Sequence, residues 1–320
     1  MQLGVFAKTF PRATLEETLD TIAYHKLSCV QFNMSCVGLP TLPERIDEEL
    51  CRWIARSLRD RGLTMAAISG TFNLCDPDAS RLGENLRRLD ILAAACRWLD
   101  TRIITLCTGT LNPDDMWKHH PDNIRRGTWE TLVNSVREAV QIADGHEVTL
   151  AFEPEIHNVV SSAMRARKLL DEIGSPWLKV VIDPTNLFNT GEVRPLSELL
   201  REAFDWLGQD IVLAHAKPPQ FGEHDDESEW LYVFLGEKFQ QIRRIAAKAK
   251  GRDKRFEEAA SHWGAACRLS CFFQQYSAAL ARIGYHGAVI IHGVKEDGIA
   301  ALISMLRDEL KISESAGPES

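Results

Sequence analysis

Short apolar runs recur along the chain, and each is followed by a longer stretch whose apolar residues return at three-and-four spacing. Short runs rich in Val, Ile and Leu read as strands buried on both faces, and the stretches between them read as amphipathic helices that cover those strands. In chain order the strands are QLGVFAK, CVQFNM, TMAAISG, RIITLCTG, VTLAFE, LKVVID, IVLAHAK and AVIIHGV. Helix signals fall between them. Thr14 with Glu17 three residues on forms a capping box that opens TLEETLDTIAYHK. A second helix is predicted from about 44 to 61, ending at Gly62, and a third from about 80 to 100 with Leu86, Leu89, Leu92, Ala93 and Cys96 on one face. Further helices are predicted at about 125–143, in SAMRARKLLDEIG, in PLSELLREAFDWLG, at about 269–283 and in DGIAALISMLRDEL. The stretch TLNPDDMWKHHPDN is too polar and too broken by proline for a regular element and reads as a long loop.

Eight strand-then-helix units with no other class of element predict an α/β fold, a (β/α)8 TIM barrel, in preference to an open doubly wound sheet. One barrel domain is expected over 1–312, with a highly charged inserted segment at 218–263 between strands seven and eight and a disordered polar tail at 313–320. No GxGxxG or GxxxxGK[ST] follows any strand, which argues against a dinucleotide or P-loop fold.

In a parallel α/β barrel the C-terminal strand ends build the ligand face. Four of the strands run directly into a polar, metal-ligating side chain there: Glu153 in LAFEPE, Asp183 in VIDPTN, His215 in LAHAK and His292 in VIIHG. Glu153, Asp183 and His215 stand 30 and 32 residues apart, one repeat each, so they project from consecutive strands. Mixed carboxylate and imidazole ligands suit a divalent Mn, Zn, Co or Mg ion and leave positions open for substrate oxygens. The plainer alternative makes Asp183 a helix cap and His215 a hydrogen-bonded core histidine. Three such residues at consecutive strand ends favour the site.

Composition narrows the class. The length of 320 residues fits one barrel with insertions, since such barrels run to about 250 residues before additions. A net charge of -8 repels nucleic-acid backbones, and no nucleic-acid-binding motif is found, so no such partner is expected. No run approaches the ~18 apolar residues of a membrane span, and the N-terminal residues enter a strand without a signal sequence, so the protein is read as cytoplasmic and without a membrane partner. The eight cysteines form no CxxC pair and sit mostly in apolar segments, the pattern of reduced thiols. Cys267 and Cys271 share a helix face, but no further ligand lies at zinc-finger spacing.

The strand-end series Glu153, Asp183, His215 with the polar position in GYHGAVIIHG resembles the xylose-isomerase-like barrels, a superfamily of sugar and sugar-phosphate isomerases and epimerases. The resemblance extends over nearly the whole chain, and GTFNLCDPD (70–78) with CTGTLNPDDMWKHHPDN (107–123) is similar to one branch of it. It implies that Glu153, Asp183 and His215 ligate the metal and that Glu153 lies beside the reacting carbon. Members that isomerise or epimerise ketoses usually carry a second glutamate at the end of strand eight, where this chain has His292. The zinc endonucleases of the superfamily need further histidines at other strand ends, where this chain has Ser69-Gly70 and Thr108-Gly109.

Around this set, His157 is placed to act as acid or base, and Lys217, two residues beyond His215, to bind a substrate oxygen. Trp117, His120 and Asn186 are candidates for the substrate wall. Each has a structural alternative: a loop hydrogen bond for His157, an exposed lysine for Lys217. The reading is a divalent-metal enzyme, an isomerase acting on a small carbohydrate, with Glu153, His157 and His292 as catalytic candidates. A metal-dependent lyase acting on a keto-inositol or keto-glycoside is the alternative, and a sugar-binding barrel without turnover is a second. A homo-oligomer is left open.

Overall fold

The computed structural model describes residues 1–187, 195–219 and 269–312. Eight parallel strands close into a barrel in sequence order: β1 (Gln2–Phe6), β2 (Cys29–Phe32), β3 (Thr64–Ser69), β4 (Ile103–Cys107), β5 (Thr149–Glu153), β6 (Leu178–Ile182), β7 (Ile211–Ala216) and β8 (Ala288–Ile291). Closure is made by β1 pairing with β8, Gly4 opposite Ile290. The helices are α1 (Leu15–Tyr24), α2 (Glu48–Arg59), α3 (Ala79–Leu99), α4 (Arg126–His146), α5 (Ala163–Ile173), α6 (Leu196–Leu207), α7 (269–282) and α8 (Glu296–Leu310). The expected inserted segment lies outside the described residues apart from Pro218 and Pro219, as do Cys267 and the tail.

Local chemistry sets the element ends. Thr14 Oγ1 accepts from the Glu17 amide at 3.2 Å and Glu17 Oε2 accepts from the Thr14 amide at 3.3 Å, which completes the predicted capping box. Such a cap is worth about 1 kcal/mol. The second helix begins at Glu48, later than the sequence pattern suggests, because Asp47 takes the N-cap backbone conformation and the residues before it form a loop. The predicted long loop after β4 is a loop with one 3-10 turn, Pro121–Ile124.

Two apolar clusters follow from the period of the strands. One fills the space between strands and helices, where Val30, Ile104, Phe152, Val180 and Ile182 share a core with Leu89 of α3, Leu132 of α4, Leu169 of α5 and Phe204 of α6. The other lies inside the barrel and contains Cys29, Ala67, Ala151, Val181, Leu213 and Ile290. Side chains alternate across a strand, so the residues two positions further on point to the same interior. Those residues are Gln31, Ser69, Glu153, Asp183, His215 and His292. The polar layer therefore sits directly on the apolar plug, at the C-terminal mouth.

The loops at that mouth are tied together by three buried asparagines. Asn73 Oδ1 accepts from the amides of Cys75 and Thr110, both at 3.0 Å, and its Nδ2 donates to the Thr110 carbonyl at 2.8 Å. Asn158 Oδ1 accepts from the Gly109 amide at 2.8 Å, and Asn123 Nδ2 donates to the His157 carbonyl at 3.0 Å. Backbone amides and carbonyls of irregular loops are costly to bury unpaired, and these side chains supply the partners that a sheet would otherwise give.

Candidate metal centre and its cavity

Glu153, Asp183, His215 and His292 each present one ligand atom, and these atoms lie within 4.8 Å of one another. Register explains the convergence. His215 pairs with Ile290 in the β7–β8 ladder, which brings His292 alongside: the two imidazole centroids are 4.4 Å apart. His292 Nε2 lies 3.1 Å from Asp183 Oδ2, while Asp183 Oδ1 accepts from the Thr185 amide at 2.9 Å. Asp183 thus both caps the turn after β6 and faces the site with its other oxygen.

His215 shows whether the set suits a cation. It is buried, and its Nε2 is 2.8 Å from Gln31 Oε1. Gln31 Nε2 lies 3.1 Å from Thr105 Oγ1, and with this amide orientation the Gln31 carbonyl meets the imidazole and the ring proton sits on Nε2. The other nitrogen, Nδ1, then holds a lone pair. It lies 3.2 Å from Glu153 Oε2, but the pair lacks hydrogen-bonding geometry, and Nδ1 has no hydrogen-bond partner among the described residues. Two electron-rich atoms buried face to face are unfavourable alone and favourable around a positive ion. The residues fit a divalent metal.

The electrostatics agree. Burial pushes the Glu153 carboxyl up to about 7, with the Asp183 charge adding to it and His292, Lys217 and Asn186 opposing. Against the pull of burial, the hydrogen bond from His292 and the surrounding positive groups hold Asp183 below the usual carboxylate range. Burial takes His215 down to about 4, so its imidazole is neutral at physiological pH and available as a ligand.

Three of the four cluster residues, Glu153, His215 and His292, line a cavity of about 880 Å³. Trp117, His157, Asn186 and Lys217 line it as well, so the structure brings these sequence candidates to the same cavity. Asn186 Nδ2 donates to Glu153 Oε1 at 2.5 Å, and Lys217 Nζ donates to Asn186 Oδ1 at 3.2 Å. His120 is placed otherwise. It is not among the residues lining the cavity, and its Nδ1 accepts from the Asp122 amide at 3.2 Å as the cap of the 3-10 turn. Sequence reasoning passed over Glu155, which lines the cavity with a buried Oε2 that has no partner among the described residues. Burial, then the charge of Glu153, raises its carboxyl to about 7. It also passed over Gln31 and Thr105, whose signal was a polar residue in phase with the interior positions of an apolar strand. Phe6, Lys8 and Asn33, from the ends of β1 and β2, complete the far wall.

The sequence profile of the xylose isomerase-like TIM barrels matches residues 19–311. The chain belongs to this family. Comparison with curated proteins gives no match. Among solved structures, the chain is similar to 3-keto-D-glucoside 4-epimerase, YcjR, from E. coli, at 15% identity and a TM-score of 0.64, covering 97% of this chain and 99% of that one. It is also similar to the IOLI protein with a bound zinc atom, at 15% identity and TM-score 0.63, covering 97% and 98%. A third is the probable 3-DHS dehydratase AsbF from Bacillus anthracis, at 14% identity and TM-score 0.62, covering 98% of each chain. At these identities the likeness is one of fold. Among the described residues no helix is long and apolar enough to cross a membrane.

Proposed function

We propose that this family member is a divalent-metal-dependent enzyme that moves a proton on the carbon beside a carbonyl of a sugar or sugar derivative, with isomerisation as the outcome. The observation that carries the reading is the cluster of Glu153, Asp183, His215 and His292 at the cavity, with His215 Nδ1 facing Glu153 Oε2 at 3.2 Å and without a hydrogen-bond partner among the described residues. Glu153, Asp183, His215 and His292 would hold the ion, and when bound it supplies Lewis acidity toward a carbonyl and a neighbouring hydroxyl oxygen. The rest falls to the chain's own groups. Glu153 is the base, with Asn186 fixing its Oε1 and Lys217 fixing Asn186. His157 moves a proton at the cavity rim, and Trp117 offers an apolar face to the sugar ring. Removal of the carbon-bound proton gives an enediolate, and its return to the adjacent carbon completes the isomerisation.

Glu155 favours a second reading. A carboxyl on the cavity wall with a buried oxygen that has no partner among the described residues can protonate a departing hydroxyl, which would turn the same proton abstraction into elimination and make the protein a lyase. A barrel that binds without turnover would be expected to have lost a ligand, and His292 stands within the cluster.

The test is to incubate metal-loaded protein in deuterated water with a panel of ketoses, keto-inositols and keto-glycosides and to read products by mass spectrometry. One solvent deuterium in an isomerised product, absent with Glu153→Gln, is expected. Loss of water from the substrate selects the lyase reading. Full metal occupancy with no deuterium in any panel member would overturn the catalytic reading.

A further inference from the structure

Three side chains reach across the barrel interior in one line: Thr105 on β4, Gln31 on β2 and His215 on β7. All three are buried, at 3%, 4% and 4% exposure. With the Gln31 carbonyl turned to His215, the line runs in one direction. Thr105 Oγ1 accepts from Gln31 Nε2 at 3.1 Å, and Gln31 Oε1 accepts from His215 Nε2 at 2.8 Å.

We propose that Gln31, held by Thr105, is a positioning residue that locks His215 in the tautomer with the proton on Nε2 and thereby sets the affinity of the site for a divalent ion. The proposal rests on reading the cluster as a metal centre. The reversed amide is the competitor. It would donate its NH2 to His215 Nε2 and force the ring proton onto Nδ1, and Thr105 could accommodate it by donating its hydroxyl. That proton would then point into the space before Glu153 Oε2, 3.2 Å away and without hydrogen-bonding geometry. Only the first arrangement leaves a lone pair where the other three ligands converge, and imidazole ligates through a lone pair. The choice of a neutral amide also matters. A carboxylate in place of Gln31 would add a third negative group to an interior that already holds Glu153 and Asp183, whereas the amide orients the ring without adding charge.

The probe is zinc, titrated into metal-free full-length protein against a chromophoric chelator, with ring-nitrogen NMR of 15N-histidine-labelled protein alongside. Metal-free wild type should show His215 protonated on Nε2. Gln31→Met, close in volume but unable to accept, should weaken zinc binding by about 10–100-fold at unchanged stoichiometry, the range seen when the partner of a ligating histidine is removed. Gln31→Glu should restore affinity, because the acceptor returns. Gln31→Met binding zinc as tightly as wild type would overturn the inference and leave the metal centre standing, whereas wild-type His215 protonated on Nδ1 would overturn the inference and also take away the lone pair that supports the metal reading. Wild type that binds no zinc would remove the metal reading and this inference together. The NMR measurement needs no variant, so a misfolded Gln31→Met does not shield the proposal.

Discussion

Asn186 holds Glu153 by one oxygen only: Nδ2 lies 2.5 Å from Oε1, and Oε2 is left facing His215. Lys217 in turn grips the Asn186 carbonyl and fixes which end of that amide faces the carboxylate. Removing the amide frees Glu153 to rotate and leaves Lys217 without its partner. Asn186→Ala should therefore lower metal affinity by about tenfold, within the range for partners of metal ligands. Calorimetric titration with manganese checks it. Lys217→Met should disturb the metal less and act mainly on KM, because Lys217 meets Asn186 and the cavity and is not itself within the ligand cluster.

On the proposed function, the end of β8 should decide the stereochemistry. Inversion at a single carbon needs a proton acceptor on each face of the substrate, and the imidazole of His292 stands at the position where a second strand-end carboxylate would be. A ring nitrogen committed to a metal cannot serve as an ordinary base. The expected behaviour is proton transfer between adjacent carbons or elimination, with no inversion at the carbon beside the carbonyl. His292→Ala should lose metal and rate together. Efficient inversion by the wild type, with solvent deuterium at the inverted carbon, would contradict this.

Metal binding should depend on pH in a definite direction. Glu153 and Glu155 are raised from 4.5 to about 7 in the folded protein, so they favour the folded state below about pH 4.5, and that contribution is lost as pH rises through 7. A cation competes with the proton on Glu153, so affinity should fall by about tenfold for each pH unit below 7 and level off above it. His215, taken down to about 4, does not titrate in that window. The thermal shift produced by zinc should thus grow from about pH 5 to about pH 8, levelling beyond the Glu153 midpoint. A shift independent of pH would argue against Glu153 as a ligand.

Gly109 is the tightest point of the loop scaffold. Its φ of +73° lies in the left-handed region, and a Cβ there would run into Asn73 Oδ1, the atom that satisfies two loop amides. Gly109→Ala adds backbone strain of about 1–3 kcal/mol to the loss of those bonds, and should destabilise the protein by at least that amount in a denaturant titration.

Much of this was legible in the sequence because the fold repeats one unit. Apolar strand runs are buried on both faces, so they stand out from the amphipathic helices, and Thr14, Gly174 and the other helix ends carry their own signals. The cluster that could hold a metal was legible for the same reason: Glu153, Asp183, His215 and His292 are ionisable residues directly at the ends of apolar runs, and the fold brings them together. What escaped depended on contacts between distant strands. Gln31 looks like an ordinary polar position within CVQFNM until β4 and β7 supply its two partners. Glu155 follows Pro154 into a loop, and only the turn closed by Asn158, whose amide donates to the Glu155 carbonyl at 2.8 Å, shows where its side chain belongs. His120 caps the 3-10 turn and is not among the residues lining the cavity, and nothing local in the sequence separates a histidine on a cavity wall from one that caps a turn.

Metal content measures the central claim most directly. Purified wild type, stripped and reloaded with excess zinc or manganese and then desalted, should retain one equivalent of ion per chain by elemental analysis. Glu153→Gln and Asp183→Asn, if folded by circular dichroism, should retain far less. A full equivalent held by both variants, or none held by the wild type, would contradict the account.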